Sequence, residues 1–187
     1  MAWTAGNRYL TQAEMEGNAR EIIKYARQEG WSKTALAAIL GNMQAESGIN
    51  PGIWENLTPY AGGYGLVQWT PWTKLQLWAD AEDLTWLDDG DTQLLRISYE
   101  AQNNIQWFRN AELGIDPPMS FEDYLHDDNY SLDDMTNFWL WFYEHPADPG
   151  PTTQQTRQTY AEFWWDFIGA YGLLPIWLLF KMQERWI

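Results

Sequence analysis

The chain has 187 residues, 26 acidic against 11 basic side chains, a net charge of −15 and no cysteine. That length suits one domain with a sizeable core. The charge argues against nucleic acid, whose phosphates need basic surface, and against attraction to anionic membranes or wall polymers; without thiols there are neither disulfides nor thiolate chemistry.

Residues 1–10 read as an exposed arm. The start lacks the basic-then-apolar profile of a secretory leader, so synthesis in a cytoplasm and passage without classical export are expected. Thr11 and Glu14 form a capping box that opens a helix over 12–29, with Gly30 as its stop and Ala19, Ile22, Ile23 and Ala26 inward. Ser32 caps a second helix over 33–47, ended by Gly48 with Pro51 just beyond. Its Leu36, Ile39, Leu40 and Met43 recur at spacings of three and four, one apolar stripe. Glu46 lies three residues after Met43 and seven after Ile39, so it falls on that stripe and not on the wet side. A carboxylate against apolar surface is desolvated, which favours its neutral form and equips it to protonate a leaving oxygen.

Residues 48–71 are rich in Gly, Pro and Asn and too irregular for a helix. Gly62, Gly63 and Gly65 permit backbone shapes closed to other residues, which suits either a hairpin turn or close approach to a ligand. Gln68 can both donate and accept hydrogen bonds. Fourteen tryptophans and ten tyrosines supply core rings, and rings near Trp54, Tyr60, Tyr64 and Trp69 suit stacking on sugar faces.

Pro71 can start a helix over 72–81 with Leu75 and Trp78 inward. The acidic run from Asp80 to Asp91 fails the calcium-loop pattern, because Leu87 stands where an oxygen ligand is needed; a solvated loop is the reading. Asp91 then caps a helix over 91–110 whose apolar contacts include Leu94, Ile97, Ile105 and Phe108. Ser120 caps a short helix ending at His126, and neither histidine has metal-ligand spacing to the other. No metal and no cofactor is expected. Ser131 caps a helix that is apolar all round, the mark of a central element, and ends at Tyr143, Glu144, His145 and Pro146. A last helix begins near Thr153 and carries Tyr160, Phe163, Trp164 and Phe167. The apolar run 171–180 is too short to span a bilayer and suits core closure or a docking tail.

The string LGNMQAESGINP followed by GGYGLVQWT resembles the phage tail lysozyme family, and more loosely goose-type lysozymes and soluble lytic transglycosylases. FWLWFYEHP, residues 138–146, is similar to the family's later part. The resemblance implies a mainly α, lysozyme-like domain over 1–170 with a small irregular hairpin or loop region forming a sugar-binding cleft, and 171–187 as tail. It implies a muramidase that cleaves the β-1,4 bond between N-acetylmuramic acid and N-acetylglucosamine, with Glu46 as general acid and Gln68 facing it. Ser47, Trp54, Tyr60, Tyr64, Gly65, Trp69, Tyr143 and Glu144 are the expected substrate contacts, and Glu55 and Glu144 the candidates for a second carboxylate. The implied setting is a virion tail, with peptidoglycan strands and other tail proteins as partners. Relatives often carry a second, metallopeptidase domain, for which this sequence has neither room nor ligands. A lytic transglycosylase with the same cleft, and a virion structural or wall-binding module without turnover, remain alternatives. A peptidase is disfavoured by the absence of cysteine and of an HExxH motif.

Overall fold

The computed structural model describes residues 3–146 and 148–173. The expected apolar tail, 171–187, lies almost wholly outside them. Seven α-helices make up the described chain: α1 (Gln12–Glu29), α2 (Lys33–Ser47), α3 (Thr73–Ala81), α4 (Gly90–Gln102), α5 (Phe121–His126), α6 (Leu132–Trp139) and α7 (Pro151–Leu173). No described helix is long and apolar enough to cross a membrane. The mainly helical, lysozyme-like class expected from the sequence holds.

The cap residues act as their chemistry dictates. Thr11 and Glu14 close a reciprocal capping box on α1, and Gly30 ends it in the left-handed conformation. The Ser32 hydroxyl accepts the Ala35 amide at 3.0 Å and donates to the Asp127 carbonyl at 2.8 Å, so one side chain both starts α2 and ties it to the segment after α5. Gly48 terminates α2 in the left-handed region.

The central element is α2, not the aromatic helix expected from its composition. Residues 34–43 of α2 are buried without interruption, so it is covered on every side and not along one stripe. Its most extensive partner is α7, then α6, with α1 and α5 completing the cover. Small residues permit this. A methyl group on Gly41 would lie 2.7 Å from the Ala161 backbone nitrogen and 2.8 Å from the Arg157 carbonyl oxygen, so the backbones of α2 and α7 touch there.

Three expected elements differ in extent. The described residues before Gln12, from Trp3 on, are not a free arm: Asn18 bonds both the amide and the carbonyl of Thr4, and the Asn50 amide donates to the carbonyls of Gly6 and Arg8. The cap of α4 is Asp89, which accepts the Asp91 amide, and the helix stops at Gln102. Asn104 and Gln106 take positive φ, ending the regular repeat, so Phe108 is exposed while Trp107 is buried. Finally, α6 passes into a π-helical turn, Leu140–Glu144, closed by His145 in the left-handed region. The extra residue in that turn rotates the side chains beyond it by roughly 100° relative to a continuing α-helix.

Gly41→Ala should destabilise the protein by about 1–3 kcal/mol, since backbone atoms must move apart. Gly17→Ala in α1, where the added methyl meets nothing within 4 Å, should instead stabilise it by about 0.5–1 kcal/mol. Urea unfolding of both variants measures the contrast.

Candidate functional site

The C-terminal turn of α2 opens onto a cavity of about 490 Å³. Glu46 forms one wall, Glu144 and Tyr143 of the π-turn stand beside it, and Glu55, Gln68 and Lys74 line the remainder with Trp54 and Trp69. Five of the expected site residues, Glu46, Trp54, Glu55, Gln68 and Trp69, thus reach the cavity from α2 and the loop 48–71, and two more from the π-turn.

The loop is held in place by side chains from elsewhere. Buried Gln93 of α4 accepts the Leu66 amide at 2.8 Å and donates to the Pro51 carbonyl at 2.7 Å. Gly65, at φ +78°, leaves the space that Gln93 fills: a methyl there would lie 2.5 Å from the Gln93 amide oxygen. Ser47, buried at the end of α2, donates to the Leu66 carbonyl at 2.8 Å. Ser47 and Gly65 therefore shape the loop and do not line the cavity. Tyr64 is fully buried, its hydroxyl donating to Asp88 at 2.9 Å, and it does not line the cavity either. Tyr60 is 63% exposed and packs on Trp54 and Trp72, outside the lining. Within the lining, the Gln68 amide nitrogen donates to the carbonyls of Gly65 at 3.0 Å and Ile53 at 3.3 Å. Glu55 accepts the Gly63 amide at 2.8 Å, which fixes its carboxylate on the rim.

The charged centre contains a residue that sequence reading missed. Arg157 of α7 donates through Nη2 to Glu46 Oε1, and through Nε and Nη2 to Glu144 Oε2 at 3.2 and 3.1 Å. The contact at Gly41 explains the reach. Arg157's backbone lies on α2 one and a half turns before Glu46, about 7.5 Å along the axis, a distance its side chain spans. No local pattern in α7 marks Arg157 out; only the pairing of the two helices does.

Burial is unequal across the three. The side chains of Glu144, Arg157 and Glu46 are 4%, 10% and 26% exposed. The most desolvated carboxyl is Glu144, whereas the apolar stripe of α2 points to Glu46. Burial first, then the neighbouring charge of Glu46, pushes the Glu144 carboxyl well above the ordinary carboxylate range, and Arg157 offsets this only in part.

A second network lies behind the cavity and was also invisible in sequence. Buried Glu100 of α4 accepts the Tyr143 hydroxyl at 2.6 Å, the Arg96 guanidinium at 2.9 Å and the Trp69 indole at 3.2 Å. Burial raises its proton affinity, while these three donors oppose the shift. Tyr143 and Trp69, both in the cavity lining, thus commit their polar atoms to Glu100. Tyr9, 73% exposed on the rim, carries no sequence signal, because nothing local shows that its segment is tied down.

Proton linkage gives a sign. Because the folded state holds the Glu144 proton more tightly than the unfolded chain, stability falls as pH rises from the ordinary carboxylate value, about 4.3, to the folded value. Glu144→Gln should lack that decline, so its melting temperature relative to wild type should rise steadily with pH across the window. Thermal melts from pH 4 upward check it.

A family model described as phage tail lysozyme matches residues 17–168. Over 168 residues the chain is 41% identical to Morphogenesis protein 1 of Bacillus phage B103; the match covers 89% of this chain and 43% of that protein. The chain therefore spans less than half the length of that relative.

Proposed function

The chain belongs to the phage tail lysozyme family, and we propose that it is a muramidase acting on the β-1,4 bond between N-acetylmuramic acid and N-acetylglucosamine. The observation that carries this reading is the meeting of Glu46 with Gln68, Glu55 and ring surface in one cavity open to solvent. Glu46 is the general acid. It protonates the glycosidic oxygen while an oxocarbenium-like centre develops at C1, the step for which glycosidases use a protonated carboxyl.

A second carboxylate can activate water only from a suitable distance. Glu46 and Glu144 share one guanidinium nitrogen, which puts their oxygens closer than the roughly 6.5–9.5 Å that a water-activating pair needs. Glu144 is therefore unsuited to that role. Glu55, held on the rim by the Gly63 amide, is the better candidate for the base, with Gln68 orienting water or an acetamido group through its amide oxygen.

The acidic balance of the chain, −15, suits delivery by a particle rather than free diffusion to an anionic wall. The name of the B103 relative, a morphogenesis protein, supports a virion component. The reading is a tail-associated enzyme that opens the cell wall locally during genome entry, in contact with other tail proteins. That same name also favours a second reading, a structural module without turnover.

Digestion of purified peptidoglycan with mass analysis of the products separates them. The wild type should release muropeptides with reducing ends, and Glu46→Gln should lower the rate by about 10²–10⁴-fold. Anhydro-muropeptides would make the enzyme a lytic transglycosylase with the same acid, and a folded wild type that releases nothing would leave the structural module.

A further inference from the structure

Arg157 carries one positive charge and faces two carboxyl groups, Glu46 from the end of α2 and Glu144 from the π-turn. With both carboxyls ionised the cluster has a net charge of −1, and two of its members, Arg157 and Glu144, are almost wholly buried. With one proton on the pair it is neutral, and a neutral cluster is what a low-dielectric setting favours. The hydrogen-bond pattern points to Glu144 as the holder of that proton. Glu144 Oε2 takes both bonds from Arg157, while Glu144 Oε1 is buried with no hydrogen-bond partner among the described residues. A buried carboxylate oxygen without a donor is costly, whereas a protonated carboxyl becomes a donor, and Glu46 is the neighbouring carboxyl whose charge raises the proton affinity of Glu144.

We propose that Glu46 and Glu144 form a proton-sharing pair clamped by Arg157, in which Glu144 is a positioning residue that stores the proton Glu46 delivers to the leaving oxygen. The inference rests on the muramidase reading and deepens it. In the resting site the proton is on Glu144 and Glu46 is paired with Arg157. When the glycosidic oxygen reaches Glu46, the proton passes from Glu144 to Glu46, and Arg157 keeps its bonds to the Glu144 carboxylate this leaves. Glu46 then gives the proton to the glycosidic oxygen as the C1–O bond breaks with its electron pair moving to that oxygen. Water activated by Glu55 supplies hydroxyl to C1 and its proton to Glu55; release of that proton to solvent and uptake of one by the pair restore the starting state.

The other titratable groups around Glu144 do not compete for this role. Tyr124 of α5 is fully buried, and burial pushes its phenol far up, so it stays neutral. Tyr143 is committed to Glu100 and is likewise raised. His145 stacks on Phe108, and burial lowers its pKa, so it brings no positive charge.

Two measurements on the full chain test the pair. Infrared difference spectra of ¹³C-glutamate-labelled protein at pH 7, wild type against Glu144→Gln, should show a carboxylic-acid carbonyl band in the wild type that the variant lacks; taking the difference removes any contribution from Glu100. The pH profile of muropeptide release should also move in opposite directions. In Glu144→Gln the guanidinium faces Glu46 alone, so the alkaline limb should fall to lower pH by about one unit, tenfold in proton affinity. In Arg157→Gln the clamp's charge is gone, so the limb should rise. Glutamine keeps the size and hydrogen bonding of Glu144, and a purely structural role would leave the limb where it was. An unmoved limb in Glu144→Gln, or the absence of the carboxylic band, overturns the proposal. If Arg157→Gln fails to fold, the band and the Glu144→Gln limb decide. If the wild type releases no muropeptides, the muramidase reading fails by itself, and the band still decides whether Glu144 stores the proton.

Discussion

The contact between α2 and α7 at Gly41 is the constraint on which the rest depends. Helices usually pack 8–10 Å apart because side chains separate them. Here the absence of one Cβ lets the backbones of Arg157 and Ala161 rest directly on α2. That contact completes the cover of a helix buried on all sides, and it sets the height at which α7 delivers its arginine to the exposed end of α2. Core packing and site electrostatics are thus one geometric fact.

Around that spine the protein keeps two buried carboxyl clusters rather than one. Glu100 is neutralised by Arg96 and hydrogen-bonded by Tyr143 and Trp69; Glu144 shares Arg157 with Glu46 and has one oxygen without a donor among the described residues. The clusters meet in adjacent residues of the π-turn, Tyr143 pointing to the first and Glu144 to the second. The aromatic loop, α4, the π-turn and α7 are therefore coupled through charge that cannot be left unpaired, since removing one partner of a buried ion pair typically costs about 3–5 kcal/mol. The satisfied cluster holds the loop that faces the cavity. The other lines the cavity itself, through Glu46 and Glu144.

Much of the helical framework was legible because its signals are local. Thr11 with Glu14, Ser32, Ser120 and Ser131 cap as their side-chain chemistry dictates, and Gly30 and Gly48 stop helices by the one conformation other residues avoid. The end of α4 was not legible. Residues 103–108 carry enough apolar character to prolong a helical pattern, and only the positive φ of Asn104 and Gln106 reveals the break. The π-turn was equally hidden, because a one-residue insertion in helical hydrogen bonding leaves no mark on an apolar run such as FWLWFY. Composition also misplaced the centre of the molecule: aromatic bulk on the helix after Ser131 suggested the core, whereas the small residues of α2 allow it to be enclosed.

For the site, the division follows the range of the interactions. By itself the sequence determined that a glutamate ends an apolar helix, that a glycine-rich loop with Gln68 and Trp69 comes after it, and that Tyr143 and Glu144 close a later aromatic helix, because each is a matter of spacing along one segment. Tertiary structure decided which of these residues face the cavity, placing Trp54, Gln68 and Trp69 on its lining and turning Ser47, Tyr64 and Gly65 into the loop's own support. It decided too that Arg157, Glu100, Gln93 and Tyr9 belong to the site or its scaffold, and that Glu144 is more deeply buried than Glu46. Burial and charge pairing are sums over neighbours that lie far apart in the chain, and those neighbours exist only once α2 and α7 have closed on each other.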